Sequence, residues 1–484
     1  MNKIHILRFL VVTMLVLALT GLPTNHASAS TTLVVRSVNE GNDANPGDGV
    51  CATSGGSCTL RAAIQEANAL AGDDTITFNL PGAGIHVISI TSDPLPIITD
   101  TLNLDGTSQP NCTVPCIVLS GANLAGSNSG LVLASDNNIV KGFIITSWSF
   151  DGIAINGNGN AVQANHIGFW SGNPTLLPNG YGIEIRGSNN LIGGSGAAAR
   201  NVISGNTYTG IAIARSGGTP SGNMIQGNYI GTTEDGTAPL ANGESGVVVY
   251  LSASNTLIGG GTAGVRNVIS GNNWEGIDSA APGTRIQGNY IGTNAAGAGG
   301  VGNALGGILI VAGNAIIGGG AAATSNVIAY NNGKGVAIVG NTSRVNMRRN
   351  SFYSNSALGI DLGNFGMTPN DPLDPDNGPN GYQNFPVITS AASGTRVIAV
   401  TFRSKAGQPY KLDFYSSPAH TCDPSNYGEG KKWIGTANVT TNVNGLWTGT
   451  VTASFGFLYG EAITATATDG AGRTSEFGAC RNAR

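Results

Sequence analysis

Between residues 201 and 350 the same phrases keep returning. Arg200-Asn-Val-Ile-Ser-Gly-Asn206 comes back as Arg266-Asn-Val-Ile-Ser-Gly-Asn272, and Gly222-Asn-Met-Ile-Gln-Gly-Asn-Tyr-Ile-Gly231 comes back in Ile286-Gln-Gly-Asn-Tyr-Ile-Gly292. Self-similarity of this kind decides between a stacked core and a globular one. Glycines that open a short apolar run stand at Gly152, Gly182, Gly210, Gly246, Gly276, Gly307, Gly335 and Gly359. Their spacing is about thirty residues, and two flavours alternate, so the unit is a pair of turns.

Each run is three to five residues, β-branched at alternate positions and bounded by Gly or Asn, the pattern of a strand with one buried face. With Gly at 74 of 484 positions, helices have little chance in the repeat. Three such strands per turn, stacked turn on turn, predict a right-handed parallel β-helix, the hand following from the bias of parallel crossovers. Asparagines at the corners are suited to left-handed backbone angles and to hydrogen bonding their copies one turn away. The Ile and Val columns argue against disorder.

Residues 1–29 read as an export signal: Lys3 and Arg8, an apolar run from Phe9 to Leu19, then Ala27-Ser28-Ala29. The run is too short to span a membrane, and no second one follows. Removing it leaves 21 basic residues against 27 acidic ones, a net charge near −6. A mildly acidic chain without a basic cluster is a poor partner for nucleic acid or anionic lipid. Six cysteines in an exported chain read as disulfides. Proximity suggests Cys51 with Cys58, Cys112 with Cys116, and Cys422 with Cys480, although fifteen connectivities are formally open. Zinc is disfavoured by the scarcity of His and the lack of a Cys-x-x-Cys pair.

A strand at Leu33–Val38 precedes the segment Cys58-Thr-Leu-Arg-Ala-Ala-Ile-Gln-Glu-Ala-Asn68. Leu60, Ala63, Ile64, Ala67 and Leu70 share one face at helical spacing, with Thr59 placed to cap it. An open solenoid end needs covering, which is the role predicted for this helix. Together with Asn45-Pro-Gly-Asp-Gly-Val-Cys51, the segment resembles the CSLREA-type motif at the start of exported bacterial β-helix proteins, with Thr59 for Ser and Ala62 for Glu. The rest resembles the pectin-lyase-like β-helix superfamily. The resemblance implies a β-helix, export, and a secreted or cell-surface location. It carries no agreed catalytic residues.

The organisation predicted is thus a signal at 1–29, a cap at 30–75, the β-helix at 76–368, a linker at 369–384 and a β-sandwich of immunoglobulin-like kind at 385–484. The sandwich strands are expected at 396–404, 410–416, 433–441, 445–453 and 461–469. Insertions at 169–181, 232–244 and 293–305 are expected to project together from one corner.

For chemistry the outward positions matter. In each Gly-Ile-x-Ile strand the x is expected to face solvent, giving the column Ala154, Glu184, Ala212, Val248, Asp278, Leu309, Ala337 and Asp361. Its acids recur every three turns, roughly 14 Å at about 4.8 Å per turn. Glycosidase pairs need roughly 5 to 9.5 Å, so no catalytic pair arises within the column. A single acid with Arg186, Arg215 or Arg285 leaves a lyase as the enzyme alternative, and a passive adhesin or stalk is a third class. A second column holds Phe150, Tyr208 and Trp274, with Asp151, Thr209 and Glu275 beside them. Rings two turns, about 10 Å, apart suit stacking on sugar faces. The expected partner is an extracellular polysaccharide, bound by a monomer through Phe150, Tyr208, Trp274, Glu275, Asp278 and Glu184. Two loops resemble calcium sites: Asp43, Asn45 and Asp48, and the group Asp371, Asp374, Asp376 and Asn377.

Overall fold

The computed structural model describes residues 30–112, 115–170, 177–340, 344–363, 365–419 and 422–484. The export signal read at 1–29 lies outside them. Three parallel walls of eleven, ten and nine short strands run the length of a β-helix. One turn takes a strand from each: Leu191–Gly193 in the first wall, Val202–Ile203 in the second and Ile211–Ile213 in the third, before Met224–Gln226 re-enters the first. Pairing is in register, Ile192 against Ile225, Ile203 against Ile230 and Ile211 against Val247. The inward Ile, Val and Leu residues form one continuous core from Leu33 to Leu362.

The repeat glycines have a steric cause. A Cβ on Gly182 would lie 2.4 Å from the carbonyl oxygen of Gly210, and one on Gly210 would lie 2.7 Å from that of Gly246. No side chain fits where successive turns approach so closely.

The corner asparagines divide their two expected tasks. Asn137, Asn189 and Asn255 take left-handed angles. Their neighbours Asn138, Asn190 and others turn inward, fully buried, and build three ladders, one at each corner. In the ladder between the second and third walls, Asn206 Nδ2 donates to Asn242 Oδ1, Asn242 to Asn272, Asn272 to Asn303, Asn303 to Asn331 and Asn331 to Asn355, each at 2.9 Å. The same amides reach wall carbonyls, as Asn242 does at Ile203. Buried polar groups require such partners.

Both ends are closed. The helix Leu60–Ala69 is N-capped by Thr59, whose hydroxyl accepts from the Ala62 N–H, and its Leu60, Ala63, Ile64 and Ala67 enter the core. Its buried Glu66 draws in the preceding loop by accepting from the N–H groups of Gly47 and Gly49 at 2.6 and 2.5 Å.

At the other end stand two antiparallel sheets of three and four strands, packed as a sandwich. The observed strands include Val397–Arg403, Pro409–Ala419, Lys432–Thr440, Leu446–Thr452 and Glu461–Asp469, with Val387–Ala392 and Arg481–Asn482 added at the edges. This sandwich supplies acceptors to the last turn of every wall. Gly430 O takes the Phe352 N–H and Thr474 Oγ1 the Met347 N–H. Glu476 takes the Leu362 N–H at 2.8 Å, and Glu429 ends the asparagine ladder by accepting from Asn355 Nδ2 at 2.6 Å.

The segment 369–384 is not the solvated linker that its prolines and acids suggested. Asp374, Asn380, Gln383 and Asn384 are buried, and Asn380 Oδ1 caps the Val345 N–H. The three expected disulfides, Cys51–Cys58, Cys112–Cys116 and Cys422–Cys480, are formed.

Two perturbations test this stacking. Replacing Asn267 by Ala orphans the buried Asn228 N–H and removes the bonds that Asn267 Nδ2 makes to Ile225 O and Asn289 Oδ1. A loss of about 3 kcal/mol in denaturant unfolding is expected. At the sandwich end, burial pushes both Glu429 and Glu476 up to about 7, against an ordinary value of 4.5. Between 4.5 and 7 the folded chain therefore binds protons that the unfolded chain does not, so stability falls as pH rises through this window and levels off above it. The double variant Glu429→Gln, Glu476→Gln should flatten that slope in unfolding titrations.

Candidate binding face on the third wall

The third wall carries its outward side chains in two columns set by the pairing. Glu184 lies against Ala154 and Ala212, Val248 against Asp278, Asp278 against Leu309, and Ala337 against Asp361. Beside it run Asp151, opposite Tyr181, and Glu275, opposite Gly306. Tyr208, Glu244 and Trp274 follow on successive turns, joined by backbone hydrogen bonds from Glu244 N to Tyr208 O and from Trp274 N to Glu244 O.

The N-terminal half of this face is a closed ion cluster. Arg215 donates from Nε to Glu184 Oε2 at 2.7 Å and from Nη2 to Asp151 Oδ1 at 2.9 Å. Arg186 adds weaker contacts, 3.5 Å to Glu184 and 4.0 Å to Asp151. Ser216 donates from N and Oγ to Glu184 Oε1, and Ser129 Oγ donates to Asp151. The guanidinium carbon of Arg215 sits 3.8 Å from the centre of the Tyr181 ring and 4.8 Å from that of Phe150. Burial pushes Asp151 up to about 6 despite the opposing charge of Arg215.

Three corrections follow. Glu184 does not face solvent: Arg215 and Ser216, thirty residues on, fold over it and leave it fully buried. Phe150 is half-buried, because it packs edge-on to Tyr181, with ring centres 6.4 Å apart, and beneath Arg215. The even ladder of rings is also broken, since Tyr181 fills the gap and lies 4.9 Å from Tyr208. Buried and paired in this way, the Glu184 and Asp151 carboxylates hold Arg215 against the Tyr181 and Phe150 rings. Arg215 was among the arginines that the sequence offered beside an acid, whereas Tyr181 stands in neither column. The one signal in the sequence was an aromatic residue immediately before Gly182.

The C-terminal half is open. Tyr208 is 43% exposed, Trp274 47% and Tyr250 36%. Half-buried Glu275 and Asp278 lie beside Trp274 on one strand, Glu275–Ser279. Asp278 has no hydrogen-bond or ion-pair partner among the described residues, and burial, then the neighbouring Glu275, push it up to about 6. Burial also raises Glu275. Asp361, the third acid of the column, is buried and lies 3.7 Å from Lys334. Arg285 belongs to the first wall, away from all of these acids.

The calcium loops are differently arranged than their spacing suggests. Asp374 turns inward, its carboxylate accepting from Ser404 Oγ and from Gln383 Nε2, while Asn377 is exposed. Among the described residues no cluster of three His, Cys, Asp or Glu is placed to hold a metal. Asp43 accepts from the N–H groups of Asn45 and Ala52 in its own loop.

No family model and no curated protein matches the chain. Solved structures do. Tailspike protein 2 of the Escherichia coli O157:H7 bacteriophage CAB120 is 11% identical over 87% of this chain, which spans 66% of the tailspike's length, at a TM-score of 0.34. Pectate lyase Pel9A is 16% identical over 72% of this chain and 85% of its own, at 0.29. Tailspike gp49 of the Acinetobacter baumannii bacteriophage Fri1, described as a capsular polysaccharide depolymerase, is 8% identical over 85% and 76%, at 0.22. Likeness at this level assigns no activity.

The ion cluster is the part of this face most open to test. Arg215→Ala leaves two buried carboxylates with only the weaker Arg186 contacts to offset their charge, and a loss of about 3 to 5 kcal/mol at neutral pH is expected by denaturant unfolding.

Proposed function

We propose that this is an extracellular protein whose third wall binds a polysaccharide along the band from Tyr208 to Asp278. The observation that carries the reading is the alignment of exposed rings and half-buried acids on one rigid, in-register sheet. Tyr208 and Trp274 stand two turns apart, roughly 10 Å, so one extended glycan can lie across both. Rings of this kind stack on the apolar face of a sugar, while flanking carboxylates accept from its hydroxyls. The Arg215 cluster holds Tyr181 beneath Tyr208 and fixes that end of the band. An extracellular setting is supported by three disulfides, which persist in oxidising compartments. Among the described residues no helix is long and apolar enough to cross a membrane.

Asp278 favours a second reading, hydrolysis of the bound glycan. A carboxylic acid raised toward 6 and left unpaired beside another carboxylate is the kind of group that protonates a glycosidic oxygen. Elimination chemistry finds less support, because Arg215 is committed to two carboxylates and is not free to act as a base.

One set of measurements separates the readings. Tyr208→Ala and Trp274→Ala should each weaken retention on the recognised polysaccharide about tenfold or more while leaving the melting temperature in place. Unchanged retention on a panel of acidic and neutral polysaccharides would leave the chain a passive stalk. New reducing ends formed without an unsaturated sugar product, and lost in Asp278→Asn, mark a hydrolase, whereas polysaccharide retention with no new ends marks a binder.

A further inference from the structure

The second wall holds a cleft that the glycan reading does not use. Its outward column runs His166, Val202, Tyr229, Val268, Tyr290, each paired with the next. His166 therefore occupies the place that tyrosines fill two and four turns on. Around it opens a cavity of about 400 Å³, lined among others by Pro115, Ala164, His166, Arg200, Val202 and Glu234. A volume of this order suits a small molecule.

The polar groups in the cleft are few and unspent. His166 is only 8% exposed and stacks on Phe169, with ring centres 4.9 Å apart. Among the described residues neither of its ring nitrogens has a hydrogen-bond partner, and Nδ1 is sealed from solvent. Burial holds the imidazole well below its ordinary value, at about 4, so the ring is neutral near pH 7. A sealed N–H is costlier than a sealed lone pair, which places the proton on Nε2.

Arg200 lies 4.0 Å over the Tyr229 ring and donates from Nε to Gly227 O at 3.3 Å, and among the described residues its two Nη groups have no partner. Arg266, in the same place two turns on, is closed by contrast. It stacks 4.2 Å over Tyr290 and donates from Nη1 to the Tyr290 hydroxyl at 2.8 Å. The fold has built the same arginine shelf twice and left one of the two open, next to the only histidine in that column.

We propose that the cleft between His166 and Arg200 is a binding site for a small carboxylate carried on a ring-sized, partly apolar body. The Arg200 Nη groups form a fork that matches a carboxylate, and the imidazole adds a neutral donor. Ala164, Val202 and Pro115 supply an apolar flank for the body of the ligand. Arg200 is the cation of this lining and the exposed Glu234 carboxylate opposes anions, so a ligand with one negative charge is favoured over one with two. A sugar acid and a simple aromatic acid share this chemistry.

The test is equilibrium binding to the full chain, by calorimetry or ligand-observed NMR, with glucuronate, benzoate, acetate, glucose and inorganic phosphate as probes. Glucuronate or benzoate should saturate, the one that does so identifying the body, while glucose and phosphate bind at least tenfold more weakly. Arg200→Gln should weaken binding at least tenfold without moving the melting temperature. His166→Tyr, which installs the ring found at the equivalent positions 229 and 290, should keep the fold and abolish binding. Arg266→Gln should leave binding unchanged. The proposal is overturned by the absence of saturation up to about 10 mM, by phosphate binding as tightly as the carboxylates, or by equal effects of Arg200→Gln and Arg266→Gln. Because Tyr208 and Trp274 lie on a different wall, loss of polysaccharide retention leaves this site untouched and the two readings fail separately.

Discussion

Everything in the molecule rests on asparagine side chains hydrogen bonding to their own copies one turn away. A parallel wall of two- or three-residue strands has few backbone hydrogen bonds with which to hold register. The three buried ladders supply what the strands lack, because an amide such as Asn267 joins its neighbours above and below and also reaches a wall carbonyl. A one-residue slip would break every rung and leave buried amides unpaired, at a cost of about 1 to 3 kcal/mol each. The ladders therefore make the alignment of the outward columns a consequence of the inside of the molecule.

A ladder must end, and the one between the second and third walls is closed by an acceptor brought from outside the repeat: Glu429 of the sandwich receives its final asparagine, Asn355. At the opposite end of the molecule Glu66 on the capping helix gathers the preceding loop by accepting from Gly47 and Gly49. The sandwich is thereby a lid on the solenoid as well as a domain, its Tyr415 and Phe477 continuing the same apolar core. Arg348 reinforces the join by a paired contact with Asp413. Glu429 and Glu476 stand where the last asparagine amide and the last donor of the third wall would otherwise lie buried without partners.

The functional face divides according to what covers it. Where the corner after Ile213 swings Arg215 back over Glu184 and Asp151, acids become scaffolding and hold rings in place. Where Tyr250 and Trp274 leave Glu275 and Asp278 uncovered, acids stay available and carry raised proton affinity. The same outward positions thus serve two ends, and position in the column does not distinguish them.

The walls, the register, the capping helix and the disulfide pairs were all legible in the amino-acid order, because each follows from a short period or a short separation. Glu184 and Asp278 fall in one column and were indistinguishable there, for a period tells which face a side chain leaves from and nothing of what later folds over it. The inward turn of Asp374, the intrusion of Tyr181 between Phe150 and Tyr208, and the open cleft at His166 were decided by tertiary structure. Each depends on groups some nine to sixty residues away whose approach no local pattern records. Sequence determined the stack; packing across turns determined which of its side chains a ligand can reach.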